Sequence, residues 1–87
     1  MDFFILIKFG GKNIRLKVVK IEFTNNTETF QVIARNKTFK LRGNKPLLIN
    51  KGLKYRKPNW KVIDGDFSRS SFLLERIIKA IESKLKY

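Results

Sequence analysis

Apolar side chains recur at every second position in successive short runs from Phe3 to Ile63, and from Leu74 the spacing changes to three and four. Few features restrict a short chain more. A period of two is the signature of strands with one face buried, and a period near 3.6 is that of an amphipathic helix. A chain that switches once from the first to the second, near its carboxyl end, is expected to fold as a sheet closed off by a single helix.

The runs place the strands. Phe3, Ile5, Ile7 and Phe9 alternate with Phe4, Leu6 and Lys8, and Gly10-Gly11-Lys12-Asn13 turns the chain. Ile14, Leu16 and Val18 continue the inward series, but Val19, Ile21 and Phe23 carry it on one residue out of phase. Such a slip is what a β-bulge or a bend between sheet faces produces. It leads us to expect a strongly curved, partly open barrel-like sheet with Val19, Ile21 and Phe23 on one face.

Thr24-Asn25-Asn26-Thr27 reads as a turn. Phe30, Val32 and Ala34 then point inward against Gln31, Ile33 and Arg35, Asn36-Lys37 occupies a two-residue hairpin loop, and Phe39 and Leu41 resume the inward series. Leu47-Leu48-Ile49 is a short apolar segment, and Trp60 to Ile63 is a further strand ended by Asp64-Gly65. The expected fold is α+β: an antiparallel β-meander of five to six strands spanning 3–63, with one carboxyl-terminal amphipathic helix over about 69–86, in a single domain spanning 1–87.

In that helix Leu74, Ile77, Ile78, Ile81 and Leu85 form the apolar stripe. Glu75 with Lys79, and Glu82 with Lys86, have the i, i+4 spacing of favourable ion pairs. Ser68 is a candidate N-cap, with Phe67 and Phe72 as a hydrophobic staple and Asp66 near the positive helix end; Ser70 and Ser71 are alternative caps.

Residue types then limit the chemistry. The chain has no cysteine and no histidine, so thiolate metal sites, cysteine nucleophiles and every pair that relies on an imidazole base are excluded. Asp64 and Asp66 flank Gly65, a spacing that suits turn and capping chemistry better than magnesium binding. The expectation is a non-enzyme with no cofactor and no metal. Asp2 stands where a signal peptide has its basic region, and the apolar run stops at Lys8, so a soluble cytoplasmic protein without integral membrane association is expected.

Charge is the strongest compositional signal: 20 Lys and Arg against 7 Asp and Glu give a formal net charge of +13. Between Thr29 and Ile63 there are ten basic residues and no acid. Lys, Asn, Ile and Phe supply 39 of the 87 residues, as an A+T-rich coding sequence would tend to give, but glutamate codons are equally compatible with that bias. The missing acids therefore point to a polyanionic partner, with DNA or RNA foremost.

The densest part of the run is "NKGLKYRKPNWKV" between Asn50 and Val62. Candidate nucleic-acid contacts are Arg35, Lys37, Lys40, Arg42, Lys54, Arg56, Lys57 and Lys61 on phosphates, with Tyr55 as a stacking residue. Trp60, the lone tryptophan, opens an apolar strand and is read as core. Lys40, Arg42 and Lys61 would equally serve to keep a sheet from aggregating. The competing reading is an interaction or self-assembly module, with the basic face meeting an acidic protein partner or the second apolar face (Phe4, Leu6, Ile33, Ile63) meeting another copy in a homo-oligomer.

Overall fold

The computed structural model describes residues 2–34, 37–65 and 71–87. Five strands, β1 (Asp2–Phe9), β2 (Lys12–Phe23), β3 (Glu28–Ile33), β4 (Thr38–Gly43) and β5 (Trp60–Asp64), form one antiparallel sheet in sequence order. Helix α1 (Lys45–Asn50) lies between β4 and β5, and α2 (Ser71–Leu85) follows the sheet. No helix among the described residues is long and apolar enough to cross a membrane.

The alternation predicted from the sequence builds the core. Ile5, Ile7, Leu16, Val18, Phe30, Val32, Phe39 and Leu41 form one buried face of the sheet, which Ile77 and Ile81 of α2 cover. Phe3 and Phe30 meet edge to face with ring centroids 6.3 Å apart, an arrangement favoured by the aromatic quadrupole. Burying such side chains contributes about 1.5–3 kcal/mol each, and this face is where most of the fold's stability resides.

The sheet is open and not strongly curled, in contrast to the barrel-like curvature expected. β1 and β5 are opposite edges of the sheet. The phase slip is absorbed locally: Lys20 pairs with Phe30 and Glu22 with Thr29, which leaves Ile21 as an extra residue in β2. A single bulge corrects the register without turning the sheet on itself, and α2 fills the face that a closed barrel would fill with its own strands. The bulge also separates residues expected to share a face. Val19 pairs with Gln31 on the outer side, whereas Phe23 pairs with Glu28 and returns to the inner side beyond the core.

Leu47, Leu48 and Ile49 belong to α1, not to a sixth strand. Pro46 fits the first turn of a helix, where its missing N–H is no loss, and Leu48 is buried while Ile49 stays exposed. The Thr24–Thr27 turn forms as predicted, with the Thr27 N–H donating to Thr24 Oγ1 at 2.9 Å. The Leu47 N–H donates to the Asn26 carbonyl at 3.2 Å and docks α1 on that turn. The caps proposed at Ser68 and Ser70, together with Asp66 and Phe67, lie outside the described residues, as does the hairpin residue Asn36. Glu75 and Lys79 pair at 3.8 Å. Glu82 instead accepts from Trp60, and Lys86 has left the helix with φ 59°.

Beyond the hydrocarbon core the inner face carries a buried acid. Glu28 is fully buried, with the Lys20 ammonium 3.2 Å from Oε1 and the Tyr87 hydroxyl donating to Oε2. A carboxylate can stay buried only with such compensation. Burial, together with the hydrogen bond and the negative charge of Glu28, raises the Tyr87 hydroxyl pKa well above its ordinary value.

Candidate nucleic-acid interface

The basic segment leaves α1 through a tight turn. The N–H groups of Lys51, Gly52 and Leu53 donate to the carbonyls of Leu47, Ile49 and Leu48 at 3.0, 3.0 and 2.7 Å. These bonds satisfy the last carbonyls of the helix. The Arg56 N–H then donates to the Leu53 carbonyl at 3.0 Å, and Asn44 Oδ1 accepts from the Asn59 N–H at 2.7 Å.

Lys45 secures the segment from within. Its side chain is buried, and Nζ donates to the backbone carbonyls of Lys54 and Arg56. The same ammonium lies 5.3 Å from the centroid of the Tyr87 ring. Charge-assisted bonds of this kind are about twice as strong as neutral ones, so one cation is consumed internally to shape a loop that presents others. Pro58 is buried, while Lys54, Tyr55, Arg56 and Lys57 are exposed. Tyr55 is 90% exposed, with Lys54 Nζ 5.4 Å from its ring centroid.

A groove of about 630 Å³ separates this loop from the carboxyl-terminal end of α2. The loop side contributes Lys54, Tyr55, Arg56 and Lys57, and the facing side contributes Glu82, Leu85, Lys86 and Tyr87. Glu82 is tied to the Trp60 indole, whose Nε1 donates to Oε2 at 3.1 Å. Trp60 is half-buried and packs 5.9 Å from Phe30, so its ring belongs to the core edge and is no platform for a base.

The remaining predicted contacts lie elsewhere. Lys40 and Arg42 are on the outer face of the sheet, where Asp64 sits 3.6 Å from Lys40 and Glu22 sits 3.3 Å from Arg42. The Arg42 Nε also donates to Thr29 Oγ1 at 3.1 Å. Lys61 is opposite Arg42 in the ladder and is exposed. Lys37 is exposed at the far end of β4, and Arg35 lies outside the described residues. The acid-free run is thus acid-free only in sequence: the fold carries Glu22 and Asp64 back onto its sheet portion. Around Lys54, Arg56 and Lys57, no carboxylate of the described residues comes within ion-pairing distance.

Sequence reasoning missed Lys45, Lys86 and Tyr87. Lys45 and Lys86 were two among many basic residues, and the Tyr87 bond to Glu28 spans 59 positions; no local pattern signals either. Asp64 Oδ1 accepts from the Gly65 N–H at 2.9 Å, in keeping with turn chemistry, and no cluster of three potential metal ligands occurs among the described residues. No protein-family model, no curated protein and no solved structure matches the chain.

Proposed function

We propose that this chain is a small non-catalytic nucleic-acid-binding module that holds the phosphate backbone with the loop from Lys54 to Lys57. The observation that carries this reading is the contrast between two sets of cations. Lys40 and Arg42 face carboxylates, whereas Lys54, Arg56 and Lys57 are exposed without one among the described residues. Free cations beside an almost fully exposed tyrosine are the combination that binds phosphates and stacks an unpaired base. Lys86, across the groove, extends the positive field. In this reading Lys40 and Arg42 maintain the sheet surface, and the interface is smaller than the basic run.

The test is fluorescence-anisotropy titration of labelled single-stranded DNA, duplex DNA and RNA over a salt series. Arg56→Glu/Lys57→Glu is compared with Lys12→Glu/Arg15→Glu, which changes net charge equally on the β1–β2 hairpin. The loop variant is expected to lose most of the affinity and to show a shallower salt slope, by roughly 0.7–0.9 for each phosphate that is no longer neutralised. Equal losses in both variants would leave only non-specific attraction by the net charge and defeat the reading.

A further inference from the structure

The two edges of the sheet are built differently. β5 has five residues, carries Lys61 and Asp64 exposed, and is bulged against β4 where Lys40 pairs with Asp64 and Leu41 with Val62. Shortness, charge and a bulge are the devices that protect an edge from pairing. β1 has none of them along its middle. It runs for eight residues in unbroken register with β2, with charged residues only at Asp2 and Lys8.

The hairpin shows which backbone groups this edge offers. Gly10 and Gly11 both have positive φ, 61° and 75°, as a two-residue type I′ turn requires. The closing pair Phe9 and Lys12 therefore exchanges both hydrogen bonds, and so do Ile7, Ile5 and Phe3 with their partners in β2. The N–H and C=O groups of Asp2, Phe4, Leu6 and Lys8 point to the open edge. In agreement, the Lys8 carbonyl accepts from Arg76 of α2. Phe4 and Leu6, whose side chains are 46% and 70% exposed, have no described backbone partner on that side.

We propose that two copies of this chain join through β1, antiparallel about a two-fold axis, with Ile5 opposite Ile5 and a continuous ten-stranded sheet as the result. Residues directly opposite one another share a face. In this register Asp2 meets Lys8 of the second copy, Phe4 meets Leu6 and Phe3 meets Ile7. Both ends carry opposite charges, and the exposed apolar side chains Phe4 and Leu6 cover each other. Sliding the register by two residues either way sets Asp2 against Leu6 or Lys8 against Phe4, charge against hydrocarbon. The Phe4 and Leu6 pairings alone supply four backbone hydrogen bonds. Helix α2 packs on β1, and its Arg76 bonds the Lys8 carbonyl, yet Phe4 and Leu6 of the strand stay exposed. Self-complementarity of this kind is what an isologous dimer needs.

The test combines mass with register. Sedimentation of the full chain over a concentration series is expected to show a monomer–dimer equilibrium. Leu6→Lys, checked for folding by circular dichroism, is expected to raise the dimer dissociation constant by roughly tenfold or more, since two apolar cross-strand pairs are removed. The chain has no cysteine, so mixing Phe4→Cys and Leu6→Cys proteins with a short thiol cross-linker reads the register directly. The expected product is the mixed dimer, in preference to either like pair. A chain that stays monomeric at every concentration overturns the proposal, and so does a dimer of folded variants that gives no preferred mixed product.

Discussion

The indole of Trp60 occupies the space that a side chain on Gly43 would need: ring carbons lie 3.0 Å from where a β-carbon on Gly43 would stand. The two residues are cross-strand partners in β4 and β5, and the glycine lets the ring fold over the sheet towards Phe30 and Glu82. Gly43→Ala should displace the indole and destabilise the protein by about 1–3 kcal/mol, the usual cost of overpacking. The check is a urea titration followed by the fluorescence of this lone tryptophan, whose native emission should also shift.

Glu28 is the second point of sensitivity. Its carboxylate is fully buried between the Lys20 ammonium and the Tyr87 hydroxyl. Glu28→Ala removes the partner of both and should cost roughly 3 kcal/mol, near the lower end for a broken buried pair, because Lys20 keeps partial access to water. Glu28→Gln retains an acceptor for Tyr87 and should cost less. Chemical denaturation of the three proteins at neutral pH orders them.

The Tyr87 hydroxyl carries a pH dependence whose sign can be worked out. Burial and Glu28 raise its folded pKa above the ordinary value of about 10, so the folded state holds the proton while the unfolded chain releases it. The stabilisation is intact below about pH 10 and is lost as pH rises above that value. Tyr87→Phe should lower stability at neutral pH by removing a hydrogen bond and should flatten the alkaline decline. Melting temperatures of both proteins from pH 8 to 11 give the comparison.

Much of this fold is visible in the one-dimensional pattern. Alternation located Ile5, Leu16, Val18, Phe30, Val32, Phe39 and Leu41 as core, and the step from Val18 to Val19 announced the bulge at Ile21. The same step was a poor guide to curvature, because one extra residue can be absorbed without coiling the sheet. Leu47-Leu48-Ile49 is too short a run to reveal a period, and only the Pro46 start and the turn at Gly52 make it helical. The candidate interface was legible in composition but not in extent. Glu22 stands 20 positions before Arg42 and Asp64 stands 24 after Lys40, so the pairing that neutralises those cations is a property of strand register.

The loop's shape should depend on a buried residue. Lys45 is buried and holds the carbonyls of Lys54 and Arg56, which fixes the backbone on either side of Tyr55. Lys45→Met keeps the aliphatic length and removes both charge-assisted bonds. The expected cost is about 1.5–3 kcal/mol of local stability, because the two carbonyls must find water in a partly buried site. Hydrogen exchange at the amides from Lys54 to Lys57 should quicken, while exchange in β2 and β3 should hardly change. If the loop binds phosphates as proposed, the variant also loses affinity although no exposed cation has been removed, because the loop is no longer held in its binding shape beforehand. Unchanged exchange in the loop would mean that the turn after α1 and the Asn44 bond to Asn59 are sufficient to hold it.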